Sequence, residues 1–122
     1  KSLYEQVEEA LKNGVTCVQL REKELSEDDF LREAKQISEL CKEYKVPFIV
    51  NDNVNIAIEC KADGIHIGQE DMGLKSVRKL VGEDMIIGVS AHTVEEALKA
   101  QEDGAYLQLL PKLMLTCFHL RP

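Results

Sequence analysis

The strongest constraint on this chain is the order of its segments, because amphipathic helical stripes and short β-branched runs alternate with no hairpin turn between them. Leu3, Val7, Ala10 and Leu11 form an opening helical stripe that Asn13-Gly14 stops. Residues 15–21 then read as a strand, with Cys17, Gln19 and Arg21 on one face and Thr16, Val18 and Leu20 on the other. Ser26-Glu27-Asp28-Asp29 opens a long helix whose apolar face is Phe30, Ala34, Ile37, Cys41 and Tyr44, and Pro47 breaks it. The cycle repeats with strand Phe48-Ile49-Val50, helix 54–62, strand 64–68, helix 73–81, strand 85–89 and a helix capped by Thr93. Strand and helix in strict alternation predict a parallel α/β sheet.

Composition narrows the partners. In 122 residues, 22 Asp and Glu face 15 Lys and Arg, for a formal charge of −7, which argues against nucleic acid or an anionic membrane surface. Any anionic substrate must be met by local cations or a metal. No apolar run approaches the roughly 20 residues of a membrane helix, and the first residues lack the build of a signal peptide, so a cytoplasmic protein is expected. Cys17, Cys41, Cys60 and Cys117 are widely spaced and form no C-x-x-C pair, so neither a disulfide framework nor a zinc knuckle is expected. The chain lacks an initiator Met and opens inside a helix, as a fragment of one domain would.

In parallel α/β folds reactive groups gather beyond the C-terminal ends of the strands, where helix N-termini also point. Gln19, Arg21 and Lys23, spaced by two, can offer an amide, a guanidinium and an ammonium to one anionic group. Read without Gln19, Arg21-Glu22-Lys23-Glu24 is simply a solvated charge run. Asn51 and Asp52 follow the second strand and suit a hard cation, or else form an Asx turn capping the next helix. Asp71 holds the corresponding place after the third strand and supplies a second carboxylate for Mg²⁺ on a diphosphate, with Glu70 equally placed by spacing alone. His66, between Ile65 and Ile67, reads as a core histidine, and Ser90 and His92 end the fourth strand without an acidic orienter for a triad.

Val18-Gln19-Leu20-Arg21-Glu22-Lys23, Phe48-Ile49-Val50-Asn51-Asp52, Gly64-Ile65-His66-Ile67-Gly68-Gln69-Glu70-Asp71 and Ile87-Gly88-Val89-Ser90 together resemble successive motifs of the thiamine-phosphate synthase family. The resemblance runs from Lys1 to about Ala105. It implies an incomplete (β/α)₈ TIM barrel, lacking the first strand and the last units. It also implies a transferase that joins hydroxymethylpyrimidine diphosphate to thiazole phosphate and releases diphosphate with Mg²⁺. On this resemblance Gln19, Leu20, Arg21, Glu22 and Lys23 bind the pyrimidine diphosphate, Asn51 and Ser90 also contact it, and Asp52 and Asp71 hold the magnesium. No residue is expected to act as a covalent nucleophile.

Residues 1–105 are therefore expected to form the partial barrel domain and 106–122 an aberrant tail. From Tyr106 onward the acidic residues vanish, and the family's phosphate-binding loop, reading like F-P-T-x-T-K-x-D-A-D, is missing. Back-translated in the shifted frame, Ala105 through Leu115 admits such a run at every position, so the tail reads as out of frame, with no evolved role. Three alternatives stand beside this reading: a flavodoxin-like sheet, a related thiazole tautomerase without the metal chemistry, and a non-catalytic remnant of a frameshifted gene. The open strand edges of a partial barrel also favour association into a homo-oligomer.

Overall fold

The computed structural model describes residues 2–67, 74–89 and 117–120. Its elements are α1 (Leu3–Lys12), β1 (Cys17–Leu20), α2 (Glu27–Glu43), β2 (Phe48–Asn51), α3 (Val54–Glu59), β3 (Gly64–Ile67), α4 (Leu74–Val81), β4 (Ile86–Val89) and β5 (Cys117–Leu120). The predicted alternation is observed through β4. The helix expected from Thr93, and all of the tail but β5, lie outside the described residues.

Capping explains where the helices start. Ser2 Oγ accepts the Glu5 N–H at 3.1 Å and Ser26 Oγ accepts the Asp29 N–H at 3.2 Å, each satisfying one of the orphan donors of a first turn. All of α1, α2 and α3 end in the same way, on a left-handed residue whose successor bonds back into the last turn. The three residues are Gly14 (φ +90°), Lys45 (φ +57°) and Lys61 (φ +56°). Val15, Val46 and Ala62 then donate to the carbonyls of Ala10, Cys41 and Ala57 at 3.3, 2.9 and 3.0 Å. The last of these motifs stops α3 at Glu59, three residues short of the predicted Ala62.

All strand pairs are parallel, and the sheet order is β4-β3-β2-β1-β5. From β1 to β4 each new strand adds on the same side of the last. A flavodoxin-like sheet reverses direction after its second strand, so this order sets that alternative aside in favour of barrel-type winding. β5 lies on the other side of β1, with Gln19 opposite His119, and α1 packs against it. In a closed barrel that position belongs to the strand preceding α1.

The alternation of strand residues separates two faces. Val18, Leu20, Phe48, Val50, Ile65, Ile67 and Ile87 join Val7, Phe30, Ala34, Ile37 and Ile56 in one buried cluster between sheet and helices. Burying each large side chain contributes about 1.5–3 kcal/mol, which is what holds helices with few intrinsic advantages in place. The opposite face carries Cys17, Gln19, Ile49, Asn51 and His66, and in barrel winding this face is the interior. Among the described residues no helix is long and apolar enough to cross a membrane.

Candidate functional site

A cleft of about 760 Å³ opens at the C-terminal ends of β1 and β2. Its polar wall is Glu22, Lys23, Glu27, Asn51, Asp52, Asn53 and Asn55, and its apolar wall is Leu25, Phe30, Val54, Ile67 and Leu80. Lys23 is the single cation among these lining residues, against the carboxylates of Glu22, Glu27 and Asp52. A surface with that balance repels a diphosphate unless a cation accompanies it.

The turn after β2 is the most tightly determined part of the cleft. Asp52 adopts φ +67°, a left-handed conformation that costs a residue other than glycine free energy, though least for Asp and Asn. Two short backbone hydrogen bonds flank it: Asp52 N–H donates to the His66 carbonyl at 2.8 Å and Asn53 N–H to the Asn51 carbonyl at 2.8 Å. Asn53 then caps α3, its Oδ1 accepting the Ile56 N–H at 3.0 Å, while its Nδ2 donates to Glu27 Oε1 at 2.8 Å. The cap considered from sequence for Asn51 or Asp52 is thus made by Asn53. That leaves the other two side chains uncommitted to the helix.

Gln19 Nε2 and Asn51 Oδ1 on the inner face are buried without a hydrogen-bond partner among the described residues. Leaving such an atom unsatisfied costs about 1–3 kcal/mol, so a donor and an acceptor at these places favour a polar occupant. Asn51 and Asp52, consecutive in the cleft wall, carry an amide oxygen and an exposed carboxylate, donor types that suit a hard divalent cation. Among the described residues no group of three His, Cys, Asp or Glu forms a complete metal cage. Ions of the magnesium type commonly take only one or two protein carboxylates, the rest of the shell being water and phosphate.

The structure brings Glu22, Lys23, Asn51 and Asp52 together in one cleft. Gln19 lies on the inner face, 4 % exposed, and Arg21 is half-buried just past the strand end. Leu20 turns the opposite way, 1 % exposed in the helix-side core, so only its backbone is available at the strand end. Asp71 and Ser90 fall outside the described residues. His66, read from sequence as a core residue, is half-buried on the inner face, with its Nδ1 2.9 Å from where a Cβ on Gly88 would stand. Sequence reasoning missed Asn53 and Glu27. The signal for Asn53 was its place immediately before the first helical residue, and for Glu27 there was none, since its partner is 26 positions away.

Glu33 on α2 lies near Glu22 of this wall and has a buried carboxyl oxygen, Oε1, without a hydrogen-bond partner among the described residues. Burial, followed by the nearby Glu22 carboxylate, pushes its pKa above the ordinary 4.5.

Parallel strands added in one direction, with polar side chains on the inner face and a cleft at their C-terminal ends, are the features of βα-barrel winding. The family model described as thiamine monophosphate synthase (TMP-TENI) matches residues 1–110, and the chain belongs to that family. It is 53 % identical over 105 residues to the thiamine-phosphate synthase of Clostridium acetobutylicum, covering 86 % of this chain and 50 % of that protein. It is 57 % identical over 109 residues to that of Bacillus cereus strain B4264, covering 86 % and 49 %. The solved structure of thiamine phosphate pyrophosphorylase from Pyrococcus furiosus superposes with a TM-score of 0.82 at 37 % identity, over 88 % of this chain and 53 % of that one. The chain therefore spans about half the length of the relatives it matches.

Proposed function

We propose that the cleft is the diphosphate side of a thiamine-phosphate synthase site, which joins hydroxymethylpyrimidine diphosphate to thiazole phosphate and releases diphosphate. The observation that carries this reading is the Asn51-Asp52 turn, where a buried oxygen without a donor and a carboxylate in a strained conformation share a cleft with Lys23. Strain held in place by neighbouring hydrogen bonds is characteristic of sites where geometry serves chemistry.

In this reading Lys23 and Arg21 take the phosphates of the pyrimidine substrate, the Gln19 amide binds it from the inner face, and Ser90 also contacts it. Asp52, with Asn51 beside it and Asp71 from the next strand end, holds Mg²⁺, which when bound supplies positive charge to the departing diphosphate. The pyrimidine methylene C–O bond breaks with its electron pair leaving on diphosphate, and the thiazole nitrogen lone pair forms the new C–N bond. No side chain bonds to substrate. The protein contributes position and electrostatics, in the cytoplasm and on small molecules alone.

Calorimetric titration of the chain with inorganic diphosphate, with and without Mg²⁺, tests the reading. Mg²⁺-dependent binding that Asp52→Asn weakens by about tenfold is expected, the loss of one charge-assisted contact. Binding indifferent both to Mg²⁺ and to Asp52→Asn would refute it.

A further inference from the structure

We propose that Glu27 is a positioning residue of this site: by accepting the Asn53 side-chain amide at 2.8 Å, it straps the start of α2 to the β2–α3 turn and fixes Asp52 between them. The proposal rests on the reading of the cleft given above and extends it to a residue that need touch no substrate.

Each end of the strap is anchored independently. Ser26 caps α2 through Asp29, so the first turn that carries Glu27 is fixed without help from the Glu27 carboxylate. Asn53 is fixed on its other side by the Ile56 N–H. With its oxygen capping the helix and its nitrogen on Glu27, the Asn53 amide cannot rotate without breaking one of the two bonds. Asp52 is the residue before it, in the left-handed region, with its own N–H on the His66 carbonyl. A displacement of the Asn53 backbone is therefore transmitted to Asp52 through the peptide that joins them.

Acidic residues in a first helical turn ordinarily serve the helix dipole, and Asp28 and Asp29 share that role here. The dipole accounts for the charge of Glu27 but not for its reach to the turn after a different strand. Electrostatics makes the opposite demand. A carboxylate lining a cleft that takes a diphosphate weakens binding, so a charge effect and a positioning effect have opposite signs. That difference makes the role measurable.

Glu27 is exposed, so substitutions leave the core untouched. Glu27→Gln keeps the accepting oxygen and loses the charge, whereas Glu27→Ala loses both. Two readouts apply to the 122-residue chain: amide hydrogen exchange at Asp52 and Ile56 by NMR, and inorganic diphosphate affinity with Mg²⁺ by calorimetry. Glu27→Ala is expected to speed Asp52 exchange about three- to tenfold and to weaken diphosphate by a similar factor, while Glu27→Gln stays within about twofold on exchange and binds no more weakly than the parent. Unchanged Asp52 exchange in Glu27→Ala overturns the proposal. So does tighter diphosphate binding in both variants, which would make Glu27 a repelling charge and nothing more. If the exchange splits as expected but the parent chain binds no diphosphate, the strap is upheld and the reading of the cleft is what fails.

Discussion

Gly64 and Gly88 give a matched pair of substitutions whose outcomes the geometry separates. A Cβ on Gly64 would stand 2.9 Å from the Ile86 carbonyl oxygen and 3.1 Å from the Ile86 Cβ, with Ile49 Cγ1 at 3.4 Å. The first of these is backbone of the neighbouring strand, in register with Gly64 itself. Relief requires β3 and β4 to part by a few tenths of an ångström, which lengthens ladder hydrogen bonds, and overpacking of that kind costs about 1–3 kcal/mol. A Cβ on Gly88 also meets one atom at 2.9 Å, but that atom is His66 Nδ1, with the next ring atoms at 3.8 Å, and an imidazole can swing about its χ angles. Replacing either glycine also restricts the unfolded chain, which returns about 0.5–1 kcal/mol. The net expectation is a loss of about 1–2 kcal/mol for Gly64→Ala and of about 0–1 kcal/mol for Gly88→Ala. Urea unfolding followed by far-ultraviolet circular dichroism measures both as shifts in midpoint at constant slope. If Gly88→Ala is the more destabilised of the two, the distinction drawn here between backbone and side-chain obstacles is wrong.

Other perturbations follow from the same geometry. Glu33 has a raised pKa in the folded state, so the native form holds its proton more tightly than the unfolded one, and the stability this contributes is present below pH 4.5 and lost as pH rises through the folded value. Glu33→Gln should remove that decline from a plot of urea midpoint against pH, and an unaltered plot would contradict the assignment. Burial and, secondarily, Asp63 push the Cys41 thiol up to about 12, and burial pushes Cys60 up to about 11, so both should resist a disulfide reagent at pH 8 until the chain unfolds. Peptide mapping that finds either modified before unfolding would show that the α2–α3 packing opens in the folded chain and does not bury these thiols. Asp52→Gly should relieve about 0.5–1 kcal/mol of left-handed strain and raise the urea midpoint while abolishing Mg²⁺-dependent diphosphate binding; a lower midpoint would mean that Asp52 is not strained.

The parts of the fold that were legible in the sequence are those that hydrophobic period alone decides. The α2 face of Phe30, Ala34, Ile37 and Cys41 is buried as its spacing demands, and the two faces of β1 separate Gln19 from Leu20 as alternation demands. Asn13-Gly14 announced the end of α1 because Gly enters the left-handed region at no steric cost. The same motif ends α2 and α3 on Lys45 and Lys61, and lysine carries no such signal. It is admissible there because the hydrogen bonds of the motif outweigh the cost of one left-handed residue, and because a cation suits a helix C-terminus. That is why the end of α3 was misplaced by three residues while the end of α1 was not. The candidate site was legible in Glu22, Lys23, Asn51 and Asp52, which lie where a strand gives way to polar residues. Its internal wiring was not, because the Glu27–Asn53 bond and the approach of His66 to Gly88 join residues that only the sheet brings together.

Asn51, Asp52 and Asn53 show how three neighbouring polar residues of similar size come to do different work. Asn51 still belongs to β2 and pairs with His66 in register, which aims its side chain at the inner face and buries its oxygen. Asn53 is the last residue before the helix, the one place from which a side chain can reach the Ile56 N–H. Asp52 has to connect an extended residue to a helix cap in a single step, and the left-handed conformation does so. Asp and Asn tolerate that conformation best among residues with side chains, so the choice of Asp there follows from backbone geometry and charge together. Its N–H continues the β2–β3 ladder onto the His66 carbonyl, so the sheet anchors the backbone from which the carboxylate extends. In the proposed reading, a ligand at Asp52 is positioned by β2, by β3 and by the strap from α2.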